Sequence, residues 1–308
     1  MSSTMQTTEQ GIQLLTRLAE RVQSQAWPKH TLYVVATPIG NLGDFTLRGW
    51  HCLGLCDVIA AEDTRSSRPL LEAWGIQTPL IAAHRHNEAQ VAEQIVARLE
   101  QGERVALVSD AGAPAVSDPG GRIVRAVRKA GYNVVAIPGA SAVITALMAS
   151  GVTSDENPAF LFAGFMPPKS MARKKWLQDW AQTAAPVVMF ESPHRIKVAV
   201  SDMAALFPER HITFARELTK RFEHVHTCAL AEALAWLESD SYHQQGEFVL
   251  ILHAEPTTEQ TTQLDSATQN WLKALLEHVS SRDAVKVAVK ATGLPRDLIY
   301  DWVLAHKD

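Results

Sequence analysis

Residues 104–121 read RVALVSDAGAPAVSDPGG, an apolar run from Val105 to Val108 that gives way to two aspartates, Asp110 and Asp118, set among small residues. In an open parallel sheet, ligands lie just beyond the carboxyl ends of the strands, and Asp110 stands at that position. Gly112, Ala113 and Ala115 carry almost no side chain, so a ligand can lie against their backbone. Pro114 and Pro119 stiffen the loop and lower the entropy lost in holding one shape. Taken alone, such a loop is either an ordinary strand-to-helix turn or a binding loop. Four further strand-like runs end in the same manner. Residues 31–36 stop at Pro38-Ile39-Gly40-Asn41, residues 57–61 at Glu62-Asp63-Thr64-Arg65, residues 80–83 at His84-Arg85-His86-Asn87-Glu88, and residues 133–137 at Pro138-Gly139-Ala140-Ser141-Ala142. Ends of this kind from one sheet converge along one edge, the way an α/β active site is assembled.

Several familiar chemistries are not supported. There is no GxxxxGK[ST] phosphate loop, the spacing of Gly40 and Gly43 is not GxGxxG, and no GxSxG nucleophile elbow occurs. His84 and His86 stand two apart without a third ligand at a sensible spacing, so no metal is expected. The three cysteines, Cys52, Cys56 and Cys228, form no CxxC, which suits a reduced cytoplasmic protein without a disulfide framework.

These clusters need a scaffold, and the hydrophobic pattern supplies one. Strand and helix signals alternate from residue 29 to 151, with Val91, Ile95, Val96 and Leu99 marking a core-facing helix stripe. That alternation predicts a mostly parallel sheet covered by helices on both faces. Residues 152–254 form a second α/β domain with more mixed strand pairing, reached through a hinge near residues 151–158. Residues 255–269, rich in Thr, Gln and Ser, read as a linker, and residues 270–308 as a small helical extension whose last two helices resemble a helix-turn-helix unit. Residues 1–28 form an N-terminal helical arm in which Leu14, Leu15, Leu18 and Val22 share a face, packed on the body or on a partner chain. Charged residues interrupt any signal-peptide core, and no apolar run is long enough to span a bilayer. A net charge of −4 argues against a broadly basic nucleic-acid binder, so any RNA contact must rest on local patches.

The strand-end motifs Pro38-Ile39-Gly40-Asn41-Leu42, Ala61-Glu62-Asp63-Thr64-Arg65, Ser109-Asp110-Ala111-Gly112-Ala113-Pro114, Ser117-Asp118-Pro119-Gly120 and Pro138-Gly139-Ala140-Ser141-Ala142 resemble the tetrapyrrole-methylase superfamily. Gly164-Phe165-Met166-Pro167, Glu191-Ser192-Pro193-His194-Arg195, Arg216-Glu217-Leu218-Thr219-Lys220 and Gly246-Glu247-Phe248 resemble its branch of small-subunit ribosomal RNA methyltransferases. The likeness runs in order through residues 31–254. Gly43, Ala113 and Ala140 depart from it, standing where an acidic residue, Thr and Pro are usual. The resemblance implies two α/β domains with a cleft between them, S-adenosylmethionine as donor, a homodimer, and 2′-O-methylation of a cytidine ribose in small-subunit ribosomal RNA, naked or in the assembled subunit. The alternatives are methylation of a small tetrapyrrole and a noncatalytic RNA-binding assembly factor.

With that reaction in view, Pro38, Asp110, Ala111, Gly112, Ala113, Val116, Ser117, Ser141 and Ala142 are expected to cradle the cofactor, with Phe190, Glu191 and Ser192 closing from the second domain. A ribose hydroxyl is weakly acidic, so a proton acceptor helps. Glu62, Glu191 and Lys220 head the shortlist, with Asp63 and Glu217 behind; each has a nearby charge that could make it a structural ion pair instead. Lys220 would need a depressed pKa. For RNA, Arg65, Arg68, Lys169, Arg173, Lys174, Lys175, Lys220 and Arg221 are the candidate cations, and Arg282, Lys286 and Lys290 form a stripe in the extension.

Overall fold

A computed structural model describes residues 2–181, 183–254, 264 and 266–306. The chain divides into two compact units, residues 1–254 and 255–308. The larger unit holds two sheets. The first contains β1 (Thr31–Val35), β2 (Val58–Ala61), β3 (Leu80–Ala82), β4 (Arg104–Val108) and β5 (Asn133–Ile137), in the order β3-β2-β4-β1-β5. All of its pairings are parallel. Strands of this kind are covered on both faces, which is why β2 and β4 are nearly continuous apolar runs instead of alternating ones. One face packs with Tyr33, Val35, Leu53, Ile59 and Ala106, the other with Leu32, Ile95, Leu99, Leu107 and Ile123.

The second sheet contains β6 (Leu161–Phe165), β7 (Val187–Glu191), β8 (His211–Arg216), β9 (His224–Ala229) and β10 (Phe248–Leu252), in the order β6-β7-β10-β8-β9. Only β6 and β7 pair in parallel; β10 runs antiparallel to β7 and β8, and β8 to β9. The expected mixed pairing is therefore present, and the segment near residue 227 is a full edge strand. Helix Ala142–Ser150 packs on this sheet through Val143, Ala146 and Leu147, against Val188, Ala215, Val249 and Ile251. That one shared core joins the last helix of the first half to the second sheet, and it sets the strand ends of the two halves facing one another.

The N-terminal helix spans Ser2–Gln23. Val22 is buried and its carbonyl accepts from Trp27 Nε1 at 3.0 Å, whereas Ile12, Leu14, Leu15 and Leu18 are exposed. In the smaller unit, helices Ser266–Leu276, Ser281–Thr292 and Arg296–Ala305 surround Leu264, Leu272, Val285, Ala288, Ile299 and Val303. Ser280 caps the second of these by accepting from Asp283 N at 3.2 Å. Arg282, Lys286 and Lys290 all face outward. The first helix begins at Ser266, inside the stretch read as linker; residues 255–263 and 265 of that stretch lie outside the described residues. Among the described residues, no helix is long and apolar enough to cross a membrane.

Candidate active site

The loop after β4 is shaped by the backbone just beyond β1. Thr37 N donates to Gly112 O at 2.9 Å and Gly112 N returns the bond to Thr37 O at 3.1 Å. Gly112 needs its φ of +80°, and a Cβ there would press within 3.3 Å of Ile39 Cγ2. Beyond it, Ala115 and Ser117 both hold φ near +67°, an unfavourable conformation that persists where surrounding contacts over-determine it. One such contact is Ala115 N to Pro119 O at 3.1 Å. A second anchor is Glu88, a buried carboxylate whose Oε1 accepts from Gly120 N and Arg122 N, each at 2.9 Å, at the start of helix Gly121–Lys129.

This loop floors a cleft of about 500 Å³, the size usual for a small-molecule site. From the first half it is lined by Ile39, Glu62, Asp110, Ala111, Gly112, Ala113, Val116, Asp118, Ser141, Ala142 and Val143. The second half contributes Phe165, Phe190, Glu191, Ser192, Leu218, Glu247 and Phe248. Ten of the expected cradle residues thus border one cavity. Pro38 and Ser117 do not line it; Ser117 is packed beside Gly164 of β6.

Asp110 has two positions to serve. Its Oδ1 accepts from Asp63 N at 3.0 Å, tying the end of β4 to the end of β2, while it also borders the cleft. Across from it stand Glu62 and Asp118. Burial raises the pKa of Glu62, and the charges of Asp118 and Asp110 push it further. Asp118 is raised for the same reasons, burial first and then Asp110, against a hydrogen bond with Ser109. Asp118 and Glu247 were missed as site residues by sequence reasoning. Both sit inside motifs that resemble the family, Ser117-Asp118-Pro119-Gly120 and Gly246-Glu247-Phe248, and that was the signal available.

The proton-acceptor shortlist separates cleanly. Lys220 Nζ lies 2.8 Å from both Glu217 Oε1 and Glu247 Oε2. Burial alone would lower its pKa, but these two hydrogen bonds outweigh it and the net shift is upward. Lys220 is a clamped ammonium, not a base. Glu191 is buried; Oε1 accepts from Ser192 N at 2.7 Å and from Arg195 at 2.5 Å, which commits it to holding the loop after β7. Its Oε2 is buried with no hydrogen-bond partner among the described residues. Asp63 caps helix Thr64–Ala73 through Arg65 N at 2.8 Å and pairs with the Arg65 side chain, whose bonds hold it down at about 2. Glu217 is taken up by Lys220 and by Glu247 N at 3.0 Å. Of the shortlisted acceptors, Glu62 alone combines a place in the cleft with a raised pKa and no ion pair among the described residues.

The candidate RNA cations also divide. Arg173 is 1% exposed. It bonds Asp202 Oδ2 at 2.6 and 2.9 Å and the carbonyls of Pro167 and Pro168 at 3.1 Å, so it is a core strut and not an RNA contact. Its own helix, Ser170–Ala181, explains why: a basic run at helical spacing turns one member inward. Lys174 reaches the same Asp202 at 3.3 Å, and Lys169 and Lys175 are exposed with no ion pair among the described residues. Arg65, Arg68 and Arg221 are exposed.

The cleft suits the expected donor. Glu62, Asp110 and Asp118 give the lining a negative charge that would complement a sulfonium cation and an ammonium, and Phe165, Phe190 and Val116 offer apolar faces. The comparisons with known proteins agree. The family of Tetrapyrrole (Corrin/Porphyrin) Methylases matches residues 31–234, and the RsmI C-terminal HTH domain matches residues 262–307. The ribosomal RNA small subunit methyltransferase I of Neisseria meningitidis serogroup B is 46% identical over 278 residues, covering 90% of this chain and 94% of its own. That of Pseudomonas aeruginosa is 40% identical, covering 90% and 98%. Among solved structures, diphthine synthase superposes with a TM-score of 0.57 at 17% identity, over 73% of this chain and 90% of its own. Uroporphyrin-III C-methyltransferase of Thermus thermophilus, solved with S-adenosyl homocysteine, gives 0.50 at 17% identity, over 72% and 96%. With a cleft built from both sheets and matches that span nearly its whole length, the chain belongs to the tetrapyrrole methylases and, within them, to the family of ribosomal RNA small subunit methyltransferase I.

Proposed function

We propose that the protein transfers a methyl group from S-adenosylmethionine to the ribose 2′-oxygen of a cytidine in small-subunit ribosomal RNA, acting in the cytoplasm as a homodimer. The observation that carries this reading is the cleft, where strand-end loops of both halves meet around Glu62, Asp110 and Asp118. S-adenosylmethionine supplies an electrophilic methyl on a sulfonium sulfur. The residues from Asp110 to Val116, with Ser141 and Ala142, hold it, and Phe190, Glu191 and Ser192 close the opposite wall.

Glu62 accepts the hydroxyl proton as the ribose oxygen bonds to the methyl carbon and the carbon–sulfur bond breaks, its electron pair leaving on sulfur with S-adenosylhomocysteine. Its burial keeps it basic enough to do so, and Asp110 and Asp118 reinforce that. The apolar wall of Ile39, Val143, Leu218 and Phe248 keeps bulk water from competing with the hydroxyl. Most of the acceleration then comes from holding the hydroxyl and the methyl in line.

Labelled donor offered together with purified small subunits, naked small-subunit RNA and uroporphyrinogen tests the reading. Label recovered as 2′-O-methylcytidine from subunits or RNA is the expected outcome. Label only in the porphyrinogen would overturn it, and no calorimetric signal with S-adenosylmethionine would return the protein to the class of RNA-binding assembly factors.

A further inference from the structure

The acidic wall presents a physical problem for an RNA substrate. Glu62, Asp110 and Asp118 would repel the phosphates that flank a ribose brought to the cleft. A cation must sit at the rim, close enough to offset them yet not consumed by an ion pair.

Arg85 meets both conditions. It lies in the turn that follows β3, and β3 pairs with β2, whose end carries Glu62. The turn is pinned by Ala83 N to Ala61 O at 2.7 Å, Asn87 Nδ2 to Ala82 O at 2.9 Å and Asn87 N to His84 O at 3.1 Å. His84, Arg85 and His86 are all exposed. Arg85 acts electrostatically on both Glu62 and Asp118, but it makes no hydrogen bond or ion pair among the described residues. Arg65, by contrast, is spent on Asp63 at 2.7 Å. The rings of His84 and His86 stand edge to face with centroids 6.0 Å apart, and both residues are exposed to solvent.

We propose that the turn of His84, Arg85 and His86 is a nucleotide-holding rim, in which Arg85 binds a phosphate flanking the target ribose and the two histidines stack on a neighbouring base. Planar, always-charged guanidinium suits a phosphate through paired hydrogen bonds. Ring faces take unpaired bases irrespective of sequence, as single-stranded RNA recognition commonly does. This rests on the RNA-methylating reading above. It makes Arg85 a positioning residue that lies outside the cradle of the donor.

The test is steady-state methylation of small subunits by the full-length protein and its Arg85→Ala, Arg85→Lys and Arg85→Glu variants, with calorimetry of donor binding beside it. Arg85→Ala should raise KM for subunits about tenfold while kcat holds within about twofold, the pattern of a lost binding contact. Arg85→Lys, which keeps the charge but not the paired hydrogen bonds, should recover only part of that loss, Arg85→Glu should deepen it, and donor affinity should stay unchanged in all three. The slope of log affinity against log salt should flatten by roughly 0.7 for one phosphate contact in single-stranded RNA. His84→Ala with His86→Ala should weaken RNA binding on the order of tenfold with the salt slope unaltered. If the wild type methylates subunits and Arg85→Ala keeps its KM and salt slope, the rim is overturned while the activity stands. If the wild type methylates no RNA, both fall.

Discussion

The aliphatic stem of Lys220 lies directly over Gly40: a Cβ on Gly40 would come within 2.6 Å of Lys220 Cγ and 2.8 Å of its Cε. Gly40 belongs to the loop after β1 and Lys220 to the loop after β8, so this contact latches the two halves beside the cleft. Gly40 also has a φ of +152°, where an L side chain is strained. Gly40→Ala should therefore destabilise the protein by about 1–3 kcal/mol in urea unfolding. Lys220→Met keeps the stem and loses the ammonium, and should leave the Gly40 contact intact while releasing Glu217 and Glu247.

Glu62→Gln removes the proton acceptor without changing the size of the side chain. The expected loss in kcat is roughly 100-fold or more, with donor affinity held. A general base works only when deprotonated, and burial with the two neighbouring carboxylates raises the pKa of Glu62. Wild-type kcat should accordingly fall as pH drops through that raised value, and the variant should lack this limb. A pH–rate profile measures both.

Arg173→Ala removes a side chain only 1% exposed and leaves Asp202, 10% exposed, with Lys174 at 3.3 Å and the Ser170 hydroxyl. Breaking a buried pair outright costs about 3–5 kcal/mol, and these remaining partners bring the expected loss down to about 2–3 kcal/mol. Denaturant unfolding should show that loss. Lys175→Gln, at an exposed position, should leave stability within about 0.5 kcal/mol of the wild type.

His253 offers a stability prediction against pH. Its Nε2 lies 2.8 Å from the Thr213 hydroxyl, and burial, followed by the charges of His211 and Arg210, depresses it to about 4. Between that value and the ordinary histidine value near 6.5, the unfolded chain binds the proton and the folded one does not. Its contribution is complete above about pH 6.5 and is lost as pH falls toward 4. His224 and His226, also lowered by burial first, act in the same direction. The melting temperature should decline through this window, and less steeply in His253→Asn.

Much of the scaffold was legible in the order of residues, because strand periodicity and strand-end punctuation are local. The strands of the first sheet fall within a residue of the limits their sequence predicts, and Asp110, Gly112 and Ser141 lie in the strand-end loops that punctuation marks. Long motifs carried the family as well, since they need only be read in sequence. Tertiary structure alone decided which charges were free. Arg173 and Lys175 stand two apart in one basic run, yet one meets Asp202 in the core and the other meets water. Glu62 and Lys220 looked alike as proton acceptors. A pKa depends on burial and on the partners the fold brings near: burial raises Glu62 and distant Asp118 and Asp110 add to it, whereas for Lys220 the hydrogen bonds of Glu217, three residues away, and of distant Glu247 overcome burial. The loop chemistry was thus written locally, but its protonation and its solvent exposure were settled by what the fold laid against it.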